Sequence, residues 1–273
     1  MCKLGLIGAG NMAGAILSGV IQKGFLQSYE IGLYDVNPSQ CQKWQERYSV
    51  FVAKDNPSLV RTSEVIMLAV KPSYLRDVLE EIKPHVQGKK IISIAAGWTT
   101  AMLTEILDEA SGAQVLRVMP NTPAMVGEGY SALCQENTFD EGALSWAKQL
   151  FSTLGKVQEF PEKLFDAVIA LTGSSPAYAY LFIEAMADGA VKLGMPRAEA
   201  YRGAAQAMLG AAKMVLETGE HPGKLKDDVC SPGGTTIEAV YALEQCGFRG
   251  IVMNALEACA RKSAKMAQEG NKK

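Results

Sequence analysis

Short apolar runs alternate with amphipathic stretches through the first part of the chain. The runs that predict strands occupy residues 4–7, 31–35, 50–52, 65–70, 91–94 and 114–119. The stretches that predict helices lie near residues 15–21, 38–48, 74–82 and 99–108. A hairpin-like stretch, a further helix and a further strand follow at 130–134, 141–154 and 156–160. Strands this apolar, separated by helices, are typical of a parallel sheet covered on both faces.

Beyond Pro161 the pattern is helical throughout. The predicted helices occupy residues 165–171, 176–193, 197–217, 236–245 and 251–266. The helix at 176–193 is apolar nearly all round, so we expect it to be buried. The chain therefore divides into two predicted domains, residues 1–160 with the sheet and residues 161–273 all helical.

The helical domain carries more apolar surface than so few residues easily bury alone. The helix at 197–217 is rich in alanine and glycine, which lets helices approach closely. We therefore expect subunits to pack through these helices, as a homodimer or a higher homo-oligomer. The alternative is an internal bundle that packs against the first domain.

The first strand runs into a glycine-rich turn of the form G-x-G-x-x-A, with Gly8, Gly10 and Ala13 at the defining positions. Gly8 would make the turn, Gly10 would let the backbone approach phosphates, and Ala13 would keep helix and strand close. The N–H groups that open the next helix can bind a pyrophosphate. The sequence thus predicts an α/β fold, with an N-terminal doubly wound Rossmann-like parallel sheet followed by an all-α C-terminal domain, and bound NAD or NADP. The alternative is an ordinary strand–turn–helix connection.

An acidic residue, Asp35, stands at the end of the second predicted strand. Its carboxylate would accept hydrogen bonds from the adenosine ribose of NAD and would repel the 2′-phosphate of NADP, which favours NADH. Alternatively, Asp35 together with Asn37 and Pro38 only turns the chain and caps the following helix.

Several polar or glycine-containing segments follow the carboxyl ends of the predicted strands. They are Asn11 and residues 70–72, 95–97 and 119–123. Because ligands of such sheets bind beyond the carboxyl ends of the strands, we expect these segments to line one crevice.

Composition excludes several other classes of protein. With 273 residues, 48% of them hydrophobic, and a net charge of -2, the chain has no basic face for nucleic acid. No apolar run approaches the ~20 residues of a membrane helix, and the N-terminus shows no leader pattern, so we expect a cytoplasmic protein. The six cysteines and two histidines show no metal-binding spacing, and the cysteines are interpreted as reduced thiols. Cys230 alone lies beside a second glycine turn, where a small buried filler is the alternative to a nucleophile.

That second turn has the sequence SPGGTT, at residues 231–236, and it opens a predicted helix. Two glycines at a helix N-terminus, with serine and threonine hydroxyls around them, favour the binding of a small carboxylate. The alternative is a capped loop in which Ser231 or Thr235 is the N-cap. A similar polar loop at 171–178 opens the helix at 176–193, and we expect the two loops to face the nicotinamide crevice together.

The ordered set of motifs resembles one known family, pyrroline-5-carboxylate reductase, over nearly the whole chain. The motifs are GAGNMA, AVKP, AAG, MPNTP, GSSPAY, HPGKLKD and SPGGTT, at residues 8–13, 69–72, 95–97, 119–123, 173–178, 221–227 and 231–236. The resemblance implies NAD(P)H-dependent reduction of the cyclic imine 1-pyrroline-5-carboxylate to L-proline, the last step of proline biosynthesis. It also implies a Rossmann domain followed by a helical domain that dimerises.

The resemblance also implies where the ligands bind. In this family the substrate lies between the nicotinamide and the late glycine turn, which often comes from the partner subunit. Thr236 would be catalytic, nearest the imine nitrogen. The substrate-binding residues would be Ser174, Ser231, Gly233, Gly234, Thr235 and Thr236. The cofactor-binding residues would be Gly8, Gly10, Asn11, Met12, Asn56, Ala69, Val70, Lys71, Pro72, Ala95, Ala96 and Gly97, together with Asp35 from the ribose interpretation.

Two residues depart from the family pattern. Ser175 replaces the second glycine of a loop that commonly reads G-S-G-P, which would stiffen or reshape the wall of the pocket. Asp35 stands where many relatives that accept NADPH lack an acid, which leaves the cofactor preference open.

The absence of a strong acid–base dyad from every motif suits an imine substrate. A protonated imine is already electrophilic and needs mainly orientation and a hydrogen-bond partner, whereas a carbonyl needs an acid. We expect hydride to pass from nicotinamide C4 to the imine carbon, with Thr236 or a nearby water bonded to the ring nitrogen. The enzymatic alternative is a 3-hydroxyacid dehydrogenase that uses Lys192, although a lysine at a helix end is expected to face solvent. A dinucleotide-binding protein without turnover is the alternative from another class.

Overall fold

The computed structural model describes residues 1–270, the last two by their backbone only. The strands are β1 (Cys2–Ile7), β2 (Ile31–Tyr34), β3 (Phe51–Val52), β4 (Ser63–Leu68), β5 (Lys90–Ser93), β6 (Gln114–Met119), β7 (Gly129–Cys134) and β8 (Gly155–Phe160). The helices of the first part are α1 (Asn11–Gln22), α2 (Pro38–Tyr48), α3 (Asn56–Thr62), α4 (Leu75–Ile82), α5 (Thr100–Leu107), α6 (Glu141–Ser152) and α7 (Phe165–Val168). The later helices are α8 (Ser175–Lys192), α9 (Arg197–Thr218), α10 (Pro222–Val229), α11 (Thr235–Gln245) and α12 (Phe248–Gly270).

All eight strands form one sheet in the order β3-β2-β1-β4-β5-β6-β7-β8. Every neighbouring pair is parallel except β6 and β7, which are antiparallel. The chain winds outward from β1 in both directions, because β2 and β3 lie on one side and the remaining strands lie on the other. The predicted α/β fold with a doubly wound sheet and an all-helical C-terminal part is therefore confirmed.

Two hydrophobic layers cover the two faces of the sheet. Along β4, Val65 and Met67 belong to one layer, and Ile66 and Leu68 belong to the other. Helices α1, α2 and α6 complete the first layer, and α3, α4 and α5 complete the second. Because both faces are covered, the strand appears in the sequence as an unbroken apolar run rather than as an alternation.

The chain folds into two compact units. The first comprises Met1–Ser174 and residues 258–270, and the second comprises Ser175–Glu257. The first unit thus extends beyond residue 160, where the sheet ends. The functional division into a cofactor domain at 1–160 and a substrate and dimerisation domain at 161–273 stays a prediction.

A buried ion pair holds the residues after β8 in the first unit. Arg117, with only 3% of its surface exposed, donates to the carboxylate of Glu162 at 3.1 Å. The same carboxylate accepts the N–H of Thr100 at 2.8 Å, and the Arg117 guanidinium lies 4.3 Å from the ring centre of Phe165. These contacts are made by side chains distant in sequence, which explains why Pro161 is not the end of the compact unit.

The second unit exposes much of its apolar surface. On α8 only Ala187 is buried, whereas Tyr180 and Leu181 are 60% and 68% exposed. Helix α8 is therefore not buried within the single chain, and its burial between subunits stays a prediction. The buried residues of α8 and α9 are all alanines, including Ala200 and Ala204, so the two helices pack through small side chains and leave the large ones uncovered.

The longest helices, α9 and α12, contain 22 and 23 residues. Both carry charged side chains along their length. Among residues 1–270, no helix has the length and apolar character needed to cross a bilayer.

Replacing Glu162 by alanine should lower the free energy of unfolding of the first unit by about 3 kcal/mol, because it leaves the Arg117 guanidinium buried without its partner. Equilibrium urea unfolding measures the change. Glu159→Ala is the matched control, since its ion pair with Lys148 lies at the surface and should be worth less than about 1 kcal/mol. Equal losses of unfolding free energy in the two variants would contradict the conclusion that the buried ion pair holds the residues after β8 in the first unit.

Candidate functional site

The turn between β1 and α1 leaves no room for a side chain at Gly8. Gly8 has a φ of +97°, and a Cβ at this position would lie 2.7 Å from the carbonyl oxygen of Ala69. The Gly8 N–H donates to the Tyr34 carbonyl at 2.8 Å, and the Ala69 N–H donates to the Ile7 carbonyl at 2.8 Å. The turn is thus fixed between the ends of β2 and β4, and only glycine fits there.

Gly10 differs from Gly8, because nothing in the fold prevents a side chain there. It is the N-cap of α1 with a φ of −73°, and a Cβ on it would meet no atom within 4 Å. No side chain caps α1, and its first turn holds no acidic residue. The first N–H groups of the helix, including those of Asn11 and Met12, therefore have no intrahelical acceptor and have open space at Gly10 beside them. This arrangement fits the pyrophosphate of a dinucleotide.

The close contact of α1 with its neighbours involves Gly14 as well as the predicted Ala13. Ala13 is buried, and a Cβ at Gly14 would overlap the indole ring of Trp44. The same indole donates its Nε1–H to the carbonyl of Ala9 at 2.9 Å. Trp44 therefore supports the turn from α2, a role that the sequence analysis missed because the two segments are distant in sequence.

Asp35 supports the same turn from the end of β2. One carboxylate oxygen accepts the N–H of Ala9 at 2.7 Å, and the other accepts the N–H of Asn37 at 2.8 Å. The N-cap of α2 is Asn37, whose side chain accepts the N–H of Ser39, and Pro38 is the first helical residue. Asp35 therefore does turn the chain ahead of the Asn37 cap and Pro38, and its second carboxylate oxygen also fixes the glycine turn. Its contact with an adenosine ribose stays a prediction.

A cavity of about 370 Å³ opens beside this turn. Its lining residues lie at or just beyond the ends of β1, β2 and β4, on α3 and α4, and in the segment before α4. They are Ile7, Gly8, Tyr34, Asp35, Val36, Asn56, Val70, Tyr74, Asp77, Val78 and Glu81. Four predicted cofactor positions, Gly8, Asp35, Asn56 and Val70, therefore lie around one cavity.

Asn56 carries a polar atom that lacks a partner. The side chain is 5% exposed, its Nδ2 donates to Glu81 at 2.7 Å, and its Oδ1 is buried without a hydrogen bond. The opposite orientation of the amide would place an oxygen against the Glu81 carboxylate. A buried acceptor without a partner is costly in a folded protein, so its presence on the cavity wall points to a ligand that donates to it.

The helix that begins at Asn56, α3, was not predicted. Asp55 caps it by accepting the N–H of Ser58 at 2.7 Å, and Ser58 donates its hydroxyl back to Asp55. Pro57 stands in its first turn. The sequence D-N-P-S is the signal that could have located this helix, because α3 is too short for a helical repeat of apolar residues.

The remaining cofactor candidates follow β4 and β5. Ala69 is half-buried and Lys71 is exposed, while the carbonyl of Pro72 accepts the indole N–H of Trp98 at 3.1 Å. After β5, Ala95 is buried and Ala96 is half-buried. Gly97 has a φ of +77°, and a Cβ on it would lie 3.1 Å from Met266, so its lack of a side chain is explained by packing against α12. Residues 95–97 do not line the cavity beside the glycine turn.

Asn121 joins the segment at 119–123 to the segment at 171–178, and the sequence predicts both near the nicotinamide crevice. Its Nδ2 donates to the carbonyl of Thr172 at 2.9 Å, and its Oδ1 accepts the N–H of Tyr130 at 2.8 Å. Thr172 belongs to a π-helical turn at Ile169–Gly173, where a helix had been expected up to residue 171 and a loop beyond it. Such turns within helices are frequent at functional sites. The turn ends at Ser174, whose Oγ accepts a hydrogen bond from the thiol of Cys259 at 3.3 Å.

The late glycine turn precedes α11. Gly233 has a φ of +66°, and the N–H of Gly234 donates to the Ser231 carbonyl at 3.0 Å. A Cβ on Gly234 would overlap the Ser231 hydroxyl. Gly234 itself is the N-cap, without a side-chain cap, so the alternative in which Ser231 or Thr235 caps the helix is wrong. The first N–H groups of α11 remain available to an anion, beside Thr235 and the half-buried Thr236.

Lys192 and the buried Cys134 have structural explanations. Lys192 is exposed at the last residue of α8, as expected for a lysine that faces solvent. Burial raises the pKa of the Cys134 thiol to about 11, which keeps it protonated and unreactive at neutral pH. Cys230 is half-buried beside the late turn.

A doubly wound sheet, with an open phosphate cradle at its first turn, defines a Rossmann-type NAD(P)-dependent oxidoreductase. Residues 3–97 match the family model "NADP oxidoreductase coenzyme F420-dependent", and residues 162–266 match "Pyrroline-5-carboxylate reductase dimerisation". The chain is 42% identical over 267 residues to the pyrroline-5-carboxylate reductase of Escherichia coli K12, covering 97% of this chain and 98% of that protein. It is 43% identical over 265 residues to the pyrroline-5-carboxylate reductase of Pisum sativum, covering 97% and 96%.

A solved structure agrees with these relatives. The pyrroline carboxylate reductase of Plasmodium falciparum, solved with NADP bound, superposes with a TM-score of 0.89 at 33% identity, covering 97% of this chain and 98% of that one. The chain therefore belongs to the pyrroline-5-carboxylate reductase family, and the resemblance found in the sequence is confirmed.

Substitutions at the two glycines of the turn should have different effects. Gly10→Ala should cost the fold no more than about 1 kcal/mol, because a methyl group there meets no atom, yet it should weaken the binding of NADPH and NADH at least about tenfold. Gly8→Ala should destabilise the fold by about 1–3 kcal/mol, through backbone strain and its contact with Ala69. Thermal unfolding measures the change in stability, and calorimetric titration measures the change in cofactor affinity. A Gly10→Ala protein with unchanged cofactor affinity would contradict the assignment of this turn to the pyrophosphate.

Proposed function

We propose that this protein reduces 1-pyrroline-5-carboxylate to L-proline, with NADPH or NADH as the hydride donor. The observation that carries the proposal is identity of more than 40% to pyrroline-5-carboxylate reductases over nearly the full length of both chains. The open phosphate cradle at Gly8 and Gly10 supports it independently, since it fits the dinucleotide that the reaction requires.

The residues that hold the cofactor form the first part of the proposed site. The bound nicotinamide supplies a hydride, and the chain supplies the groups that orient it. Gly8, Gly10 and the first turn of α1 bind the pyrophosphate, while Asp35 and Asn56 face the adenosine ribose. The other proposed cofactor positions are Asn11, Met12, Ala69, Val70, Lys71, Pro72, Ala95, Ala96 and Gly97.

The late turn is the proposed carboxylate site. The free N–H groups at the start of α11 attract an anion, and the residues proposed to bind the substrate are Ser174, Ser231, Gly233, Gly234, Thr235 and Thr236. Thr236 is the proposed catalytic residue, because its hydroxyl can bond the ring nitrogen as that nitrogen changes from imine to amine. An imine that is already protonated needs orientation more than a strong acid, which fits a site built from hydroxyls and backbone.

The helices of the second unit are the proposed dimer interface. Large apolar side chains are exposed there on α8, α9, α11 and α12, and contiguous exposed apolar surface is typical of an interaction site. Examples are Tyr180, Leu181, Leu209, Met214, Tyr241, Ile251 and Met253. The family model that matches residues 162–266 describes dimerisation. The predicted cytoplasmic location stays a prediction.

The reaction is tested by following the oxidation of NADPH and of NADH with 1-pyrroline-5-carboxylate and, separately, the reduction of NAD⁺ and of NADP⁺ with 3-hydroxyacids. We expect turnover only with the imine. Thr236→Ala should lower kcat/KM about 10²-fold, because it removes a positioned hydrogen bond at the reacting nitrogen. Thr236→Ser keeps the hydroxyl and is the matched control. Full activity of Thr236→Ala would exclude this residue from catalysis even if the reaction is correct.

The interface is tested by introducing charge on the exposed apolar face. Leu181→Glu and Met253→Glu should convert the oligomer to monomers, because a carboxylate buried without a partner opposes association. Sedimentation velocity measures the mass of the species. Met125→Glu is the control, since Met125 is also exposed, at 61%, but lies in the first unit. If both second-unit variants kept the mass of the wild type, the interface would lie elsewhere.

A further inference from the structure

The cavity beside the glycine turn is lined by three carboxylates, those of Asp35, Asp77 and Glu81. None of its lining residues carries a positive charge. Lys54 lines a neighbouring hollow that shares Tyr34, Asp35 and Val36, but its Nζ lies 3.9 Å from the carboxylate of Asp55. A ligand group that enters the cavity therefore meets a negative field.

The cavity also offers more hydrogen-bond acceptors than donors. Asn56 lines the cavity, uses its Nδ2 on Glu81 and keeps a buried Oδ1 without a partner. Asp35 is held in place by two backbone N–H groups, and this fixes where its negative charge lies. Among the lining side chains, the remaining donors are the second Nδ2 hydrogen of Asn56 and the hydroxyls of Tyr34 and Tyr74.

These features distinguish the two nicotinamide cofactors. The ribose hydroxyls of NADH can donate to carboxylates and to the Asn56 amide oxygen. The 2′-phosphate of NADPH, like other phosphate monoesters, carries about −1.5 to −2 charges at pH 7 and acts mainly as an acceptor. Placed in this cavity it would face like charges without a cation to neutralise it.

We propose that the protein binds NADH in preference to NADPH, and that Asp35, supported by Asp77 and the acceptor of Asn56, determines this preference. The inference rests on the proposed function, because it assigns the cavity to the adenosine end of the cofactor. It goes beyond that function by naming which cofactor the site selects and which side chains make the selection.

Direct binding tests the preference without relying on turnover. Calorimetric titration of the wild-type protein should give a Kd for NADPH at least tenfold higher than for NADH, or about 1.4 kcal/mol. The fragment 5′-AMP, which lacks the 2′-phosphate, should likewise bind more tightly than 2′,5′-ADP. Raising the salt concentration should reduce the ratio of the two Kd values, because ionic screening weakens the repulsion between the 2′-phosphate and the partly exposed carboxylates.

Variants assign the preference to particular residues. Asp35→Ser should reduce the NADPH-to-NADH ratio of Kd values to about threefold or less, chiefly by tightening NADPH. Because Asp35 also holds the glycine turn, Asp77→Asn serves as a second variant outside the turn and should reduce the ratio by a smaller factor. Glu80→Gln is the matched control: it removes the same charge from the same helix, but Glu80 does not line the cavity, so the ratio should not change.

Each outcome distinguishes the inference from the proposed function. Equal or tighter binding of NADPH by the wild type would overturn the inference and leave the reductase intact. A wild-type preference for NADH that persists in both Asp35→Ser and Asp77→Asn would overturn the assignment to these carboxylates. Failure to bind either cofactor would instead contradict the proposed function itself.

Discussion

The path of the backbone at Gly8 is the constraint on which the rest of the first unit depends. The chain passes so close to Ala69 that a single methyl group would collide with the carbonyl there. This contact brings the end of β1 against the end of β4, and the bond from Ala9 to Asp35 brings it against the end of β2. The start of α1 is fixed as a result, and the open space at Gly10 and the cavity beside Asn56 both lie next to it.

The parts of the fold that follow from local pattern could be predicted. The bounds of α2 and β6 agree with their apolar and polar positions, and β4 is displaced by only two residues. What escaped prediction depends on capping or on distant partners. Helix α3 is specified by Asp55 and Ser58 rather than by a repeat of apolar residues. Without it, the placement of Asn56 rested on resemblance alone. The contacts of Trp44 with the turn join segments that no local pattern connects.

The second unit shows a different limit of prediction from sequence. The apolar character of α8 was correctly identified, but the sequence left open whether a second subunit or the first domain of the same chain covers it. Within the chain, α8 and α9 pack through alanines, and the large side chains remain exposed. The π-helical turn at Ile169–Gly173 was also unforeseen, because the carbonyl of Thr172 is bonded by Asn121, a residue fifty-one positions away. An apolar composition therefore does not reveal whether the same chain or a second subunit covers the apolar side chains.

The two hydrogen bonds of Asp35 have a consequence for the evolution of relatives of this chain. Its carboxylate braces the glycine turn, and it is also the group that we propose to select the cofactor. A lineage that exchanged this residue to recruit the other dinucleotide would lose the brace in the same step. A substitution of Asp35 would therefore change the cofactor preference and the rigidity of the turn together. A change of cofactor without loss of stability would first require another residue to accept the hydrogen bond of the Ala9 N–H.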